Sequence, residues 1–115
     1  MGETDPSLFE MRESRDADGI LRVYLIGELD LAAVDHLESC LRRLKQPGVH
    51  VRLDLSRLEF IDSSGLRVLI TAAVDARRDS WGLDIEPTVR PQVRRLIDLV
   101  GVSECLWPIT DVAVS

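Results

Sequence analysis

The sequence predicts a single α/β domain, in which a mixed, mostly parallel β-sheet of about five strands is packed with about three main helices. Its 115 residues suit one domain of ordinary size. A hydrophobic content of 45% with 30% charged residues is typical of a folded core under a hydrated surface. Short β-rich runs alternate with apolar patterns of helical period, which favours right-handed crossovers between parallel strands. We expect the domain at residues 8–109, between tails at residues 1–7 and 110–115.

The first part of the chain predicts a hairpin followed by a helix. Residues 8–13 alternate weakly, residues 16–19 (Asp-Ala-Asp-Gly) are a strong turn signal, and residues 20–26 are rich in β-forming side chains. Two antiparallel strands are therefore expected. Apolar residues then recur at helical spacing from Val34 to Leu44, until the Gln-Pro-Gly segment at residues 46–48 interrupts them. This pattern predicts one amphipathic helix.

The middle of the chain predicts a strand, a second helix and a short strand. Residues 49–55 alternate strictly between apolar and polar side chains, and we place the end of this half-buried strand near Glu59. The apolar face of a second helix starts at Leu66 and reaches about Arg78. A turn then leads into a short strand at residues 83–86.

The last part of the chain predicts a third helix and a final strand. The helix follows Pro91 and is closed by Gly101, because proline suits the first turn of a helix and glycine suits its end. Residues 105–109 form a last extended segment. The first hairpin adds an antiparallel strand to the otherwise parallel strands, so the sheet is expected to be mixed.

Charge and cysteine content exclude several classes of function. Lys and Arg total 14 against 20 Asp and Glu, and a net charge of −6 argues against a direct nucleic-acid partner. Cys40 and Cys105 have no metal-binding spacing, and free thiols in a reducing compartment are expected. The first residues lack the features of a signal peptide, and no apolar run approaches the ~20 residues of a membrane span. We therefore expect a cytoplasmic protein with no metal, no cofactor and no membrane insertion.

Two polar segments follow the ends of neighbouring predicted strands. Residues 28–30 (Glu-Leu-Asp) come after the strand that ends at Gly27, and residues 62–65 (Asp-Ser-Ser-Gly) come after the strand that ends near Glu59. The carboxyl ends of parallel strands meet at one edge of a sheet, where α/β proteins usually place functional loops. We therefore expect these two segments to lie side by side.

The Asp-Ser-Ser-Gly segment has two interpretations. It directly precedes the second helix, so Asp62 or Ser63 is a good N-cap, and capping alone selects these residue types. Alternatively, a hydroxyl here is phosphorylated, since a phosphate adds roughly −1.5 to −2 charges and the first turn of a helix offers N–H donors to it. Asp30, Glu59 and Asp62 would then surround the new charge, and the edge would repel a partner that accepts the neutral form.

Three segments together resemble a known family. They are GELDL at residues 27–31, FIDSSGL at residues 60–66 and the helix-forming segment from Pro91 to Gly101. Each is weak alone, but their separation and order resemble the STAS domain, specifically the stand-alone bacterial anti-sigma factor antagonists. The resemblance covers residues 8–109 and implies a STAS-like fold.

The resemblance implies a non-enzymatic protein that acts by partner switching in transcription regulation and stress response. Its partner is an anti-sigma factor serine kinase, which it binds in the unphosphorylated form so that a sigma factor is released. Ser63 matches the family's phosphoacceptor, and a serine phosphatase restores binding. The implied partner-binding residues are Asp30, Asp62, Ser63, Ser64, Gly65 and Arg67. Arg67 replaces a glycine found in many members, and a long cation there is expected to change partner choice or to help neutralise a phosphate on Ser63.

Three other functions are weighed against this one. A serine hydrolase lacks support, since there is no Gly-x-Ser-x-Gly motif, and the only candidate bases, His36 and His50, are predicted on the first helix and in mid-strand. No phosphate-binding Gly-x-x-x-x-Gly-Lys motif is present for nucleotide hydrolysis. A STAS-type scaffold, sensor or transporter-associated binding module stays open, although such domains often lack the serine that this chain has at position 63.

Overall fold

The structure is a computed structural model that describes residues 8–107. It contains four strands, four α-helices and one 3-10 turn within those residues. In chain order they are β1 (Phe9–Arg15), β2 (Leu21–Leu29), the 3-10 turn (Leu31–Ala33), α1 (Val34–Leu44), β3 (His50–Ile61), α2 (Ser63–Asp79), β4 (Gly82–Ile85), α3 (Pro91–Val100) and α4 (Ser103–Leu106).

The strands form one sheet in the order β1-β2-β3-β4. The β1–β2 pair is an antiparallel hairpin, while β2 with β3 and β3 with β4 are parallel. The predicted mixed, mostly parallel α/β fold is therefore confirmed. Helix α1 connects β2 to β3, and α2 connects β3 to β4, as a βαβ arrangement requires.

Alternation along the central strands separates an apolar side of the sheet from a polar one. On β2, Val23 and Leu25 are fully buried, and they share one core with Leu37 of α1 and Leu69 of α2. The residues between the buried ones on β2, and on β3 as far as Ser56, are only partly buried, and all but Ile26 and Gly27 have a polar group in the side chain, as Arg22 does. Helices α1 and α2 therefore cover the apolar side, and burial of that side supplies the main stabilisation of the fold.

The predicted fifth strand is wrong over the residues that the structure describes. Residues 103–106 form α4, in which Leu106 is buried, and Trp107 donates its indole N–H to the Ile85 carbonyl at 2.8 Å. A short apolar run does not distinguish a strand from a buried helical turn, so the sequence pattern was ambiguous here. Residues 108 and 109 of that prediction, and the predicted tails at 1–7 and 110–115, lie outside the described residues.

Strand β3 is longer than its alternating segment, because it continues to Ile61. Its last buried residues, Leu55, Leu58 and Ile61, are three apart, which is not the spacing of a regular strand. The register with β2 shifts between Tyr24 and Ile26 and again beyond Gly27, and these irregularities account for the changed spacing. The extension carries β3 to the edge where residues 62–65 begin.

Candidate functional site

The two polar segments predicted to meet do lie side by side. Leu29 at the end of β2 is in register with Ile61 at the end of β3, and the Asp62 amide donates to the Leu29 carbonyl at 3.2 Å. The residues that follow each strand are thereby brought to one edge of the sheet. We call this region the Ser63 edge and define it as Asp30, Leu31 and residues 62–65 together with Arg67.

Asp62 holds the Ser63 edge together. Its backbone is extended and it is the N-cap of α2: Oδ1 accepts the Gly65 amide at 3.0 Å, while its carbonyl accepts the Leu66 amide at 2.9 Å. Oδ2 accepts the Leu31 amide at 3.3 Å across the edge. Both carboxylate oxygens are thus used to join α2 to the turn after β2, and the capping interpretation is confirmed for Asp62.

Ser63 is left free by this arrangement. It is the first residue of α2 and is exposed, and its hydroxyl has no hydrogen bond within residues 8–107. Because Asp62 performs the capping, the Ser63 hydroxyl has no structural task there. An accessible hydroxyl at the positive end of a 17-residue helix is chemically suited to modification by an anionic group.

Asp30 lies on the other side of the edge and is half-buried. Its backbone carbonyl accepts the Ala33 amide at 2.9 Å and so begins the 3-10 turn, but its side chain makes no capping hydrogen bond. The Asp30 carboxylate therefore differs from that of Asp62, since it has no partner among the described residues.

Gly65 is buried and serves close packing at this edge. A Cβ atom there would lie 2.5 Å from the Leu29 carbonyl oxygen and 2.6 Å from Leu29 Cγ, which is shorter than any real contact of this kind. Only glycine lets the first turn of α2 approach β2 this closely. Gly65 therefore positions the neighbouring residues and presents no side chain of its own.

A shallow cleft of about 380 Å³ adjoins the Ser63 edge. It lies between the start of α1 and the first turns of α2, and Ser64 is half-buried beside it while Arg67 is exposed. Its lining residues are Leu31, Val34, Glu38, Ser64, Arg67, Val68 and Thr71. The structure therefore brings Ser64 and Arg67 to one surface with residues of α1 and of the 3-10 turn.

Two exposed apolar residues of this region were not predicted. The side chain of Leu31 is 71% exposed and that of Phe60 is 46% exposed. Leu31 begins the 3-10 turn, in which only Ala33 is buried, so the Leu31 side chain stays at the surface.

Neither histidine is placed to activate Ser63. His50 is at the opposite end of β3 from Asp62, and its Nε2 lies 3.0 Å from Asp84 Oδ2. The ring of His36 packs edge-on against Phe9 with centroids 6.0 Å apart. Among residues 8–107, no group of three potential ligands is arranged to hold a metal ion, and no helix is long and apolar enough to cross a membrane.

Comparisons with known proteins identify the family of this chain. The model of the family described as "Mlab, STAS domain" matches residues 13–110, and the chain belongs to this STAS domain family. BtrV of Bordetella bronchiseptica, a protein assigned as an anti-sigma factor antagonist, is 34% identical over 85 residues, which cover 73% of this chain and 72% of BtrV. The crystal structure of an anti-sigma factor antagonist from Mycobacterium paratuberculosis matches with a TM-score of 0.71 and 26% identity, over 89% of this chain and 86% of that one.

SpoIIAA is a further structural relative. Its unphosphorylated form matches with a TM-score of 0.58 and 20% identity, over 78% of this chain and 83% of that one. The phosphorylated form of the Bacillus protein matches with a TM-score of 0.59 and 21% identity, over 81% of this chain and 85% of that one. These likenesses show the shared fold.

Proposed function

We propose that this protein is an anti-sigma factor antagonist whose binding surface is the Ser63 edge. In its unphosphorylated form it binds an anti-sigma factor that is also a serine kinase, and a sigma factor is released as a result. Phosphorylation of Ser63 ends this binding, and a serine phosphatase restores it. The protein itself performs no catalysis in this scheme, and it acts in the cytoplasm.

The observation that carries the proposal is the division of tasks between Asp62 and Ser63. Asp62 caps α2 and joins the two sides of the edge, whereas the exposed Ser63 hydroxyl makes no hydrogen bond within the described residues. If the segment existed for capping alone, Asp62 would suffice. A second, free hydroxyl directly after the cap is what a kinase substrate requires.

The kinship with anti-sigma factor antagonists supports the identity of the partner. BtrV is similar to this chain over most of both lengths, and the Mycobacterium paratuberculosis antagonist shares its fold and 26% of its residues. The phosphorylated form of SpoIIAA indicates that this fold accommodates a phosphate without losing its architecture.

Electrostatics explain why a phosphate at Ser63 would end binding. The modification adds a nearly doubly negative group to an edge that already carries the carboxylates of Asp30 and Asp62. A partner surface that accepts a neutral hydroxyl must then desolvate this charge, and any acidic group that it places here is repelled. The exposed side chains of Leu31 and Phe60 supply apolar contact area around Ser63 in the neutral form.

Phosphosite mapping tests the proposal. The purified protein is incubated with ATP and, in turn, with each anti-sigma factor kinase of the source organism, and the products are mapped by mass spectrometry. We expect one kinase to modify Ser63. The S63A variant should stay unmodified, and the matched S64A variant should be modified as the natural chain is. Modification at another residue, or none with any kinase, would overturn the proposal.

A further inference from the structure

Arg67 is one of three arginines without a polar or cation–π partner within residues 8–107. The other arginines there contact a carboxylate, a carbonyl or an aromatic ring, as Arg43 does with Glu13. Arg42 and Arg95 are the remaining two arginines without such a partner. Of these three, only Arg67 lies on the first turns of α2 and belongs to the Ser63 edge.

The spacing of Arg67 places its guanidinium within reach of a group on Ser63. The two residues are four apart in α2 and both are exposed, so they are neighbours on one face of the helix. An anion N-terminal to a cation at this spacing is the favourable orientation of such a pair. The Ser63 hydroxyl is neutral, however, and no hydrogen bond joins it to Arg67.

The acids around Arg67 do not already neutralise it. Asp62 uses both carboxylate oxygens for the amides of Leu31 and Gly65. Glu38 lines the same cleft from α1, but it makes no ion pair with Arg67. The guanidinium is therefore available to a new anion that appears one turn away.

We propose that Arg67 binds the phosphate of phosphorylated Ser63 within the same chain. Its guanidinium N–H groups donate to two phosphate oxygens, as planar guanidinium groups do in bidentate pairs. Phosphorylation then has two effects, because it adds negative charge and also withdraws Arg67 from the cleft that it lines. This inference rests on Ser63 being the modified residue.

The test uses phosphoserine incorporated at position 63 by genetic code expansion, so that no kinase is needed. The second pKa of the phosphate is measured by phosphorus NMR titration in the natural background and in R67Q. Because the pair stabilises the dianion, we expect this pKa to be about 0.2–0.4 units lower in the natural background than in R67Q. The difference should shrink in 1 M salt, where the Debye length is about 3 Å.

The matched control is R95Q, which removes an equally unpaired arginine from α3. Its phosphate pKa should equal that of the natural background. Equal values for the natural background and R67Q, or an equal rise in R95Q, would overturn the inference. Since Arg67 is exposed, circular dichroism should show the same helix content in all three proteins. The titration needs no kinase. If no kinase modifies Ser63, the proposed function is refuted, but the result of this titration is unchanged.

Discussion

Two clusters of polar and charged residues in this molecule differ in how many of their groups have a hydrogen-bond or ion-pair partner. One surrounds Arg22 on the polar side of the sheet. Its guanidinium lies 2.9 Å from Glu86, 3.2 Å from Asp54 and 3.5 Å from Asp16. Asp54 also accepts the Ser56 amide at 2.9 Å and the Ser56 hydroxyl at 2.6 Å. This Arg22 cluster is internally paired, and its polar groups are used to stabilise the fold.

The Ser63 edge is paired only in part. Asp62 is fully used, but the Asp30 carboxylate, the Ser63 hydroxyl and the Arg67 guanidinium have no partners among the described residues. The unpaired groups lie around a rigid support, formed by the buried Gly65 and the Asp62 cap. Polar groups stabilise the fold where they pair with one another, as in the Arg22 cluster, whereas the unpaired groups of the Ser63 edge are available for the partner binding that we propose there.

The largest expected effect is that of Gly65→Ala, which disrupts the close packing of the α2 start against Leu29 of β2. The added Cβ would lie 2.5 Å from the Leu29 carbonyl oxygen, so the helix start must move. We expect a loss of about 2–3 kcal/mol in the free energy of unfolding, measured by urea denaturation. In Gly48→Ala the Cβ meets no atom within 4 Å and only the positive φ is strained, so about 1 kcal/mol should be lost. Equal losses in both variants would contradict the close packing at Gly65.

A second pair of variants separates the two aspartates of the edge. Asp62→Ala removes the cap of α2 and its bond to the Leu31 amide, so we expect a loss of about 1–2 kcal/mol in the free energy of unfolding. Asp30→Ala removes a side chain without a partner and should change stability by less than about 0.5 kcal/mol. Anti-sigma factor binding should weaken in both variants. If Asp30→Ala proved the less stable of the two, the conclusion that Asp62 and not Asp30 stabilises this edge would be wrong.

The smallest expected effect concerns the Arg22 cluster. Burial raises the pKa of Asp54, but hydrogen bonds from Ser56 and the pairing with Arg22 outweigh it and hold that pKa below its ordinary value. Asp54 therefore contributes stability that is complete above about pH 4 and is lost as the pH falls through the lowered pKa.

Asp54→Asn tests this contribution. In urea denaturation the variant should be less stable than the natural chain by about 0.5 kcal/mol at pH 7, and this difference should shrink as the pH falls through the lowered pKa of Asp54. The stability difference between Ser56→Ala and the natural chain should also shrink at low pH, but it should be smaller, because this variant removes only the 2.6 Å hydrogen bond to Asp54. A stability difference that does not change with pH would contradict the account. Anti-sigma factor binding should be unaffected by either change.

The fold was largely predictable from the sequence because its periodic patterns are local. Alternation at residues 49–55 and helical spacing from Val34 to Leu44 correspond directly to β3 and α1. The end of β3 and α4 were less clear because tertiary contacts decide them. The spacing of three between Leu55, Leu58 and Ile61 follows from register shifts against β2, and α4 forms where Leu106 is buried.

The candidate site was predictable in location but not in its division of tasks. Parallel strand ends place Asp30 and Ser63 at one edge by topology alone. Which carboxylate is used and which is free depends on hydrogen bonds across the edge, and Asp62 to Leu31 is such a bond. The burial of Gly65 and the exposure of Leu31 likewise depend on how the α2 start and the 3-10 turn pack together.

The central claim is that charge at Ser63 controls partner binding, and calorimetric titration with the anti-sigma factor that we propose as the partner tests it most directly. Ser63→Asp and Ser63→Asn differ in charge but hardly in shape. We predict that the asparagine variant binds much as the natural chain does, and that the aspartate variant binds at least tenfold more weakly, about 1.4 kcal/mol. Equal affinities for the two variants would contradict the account.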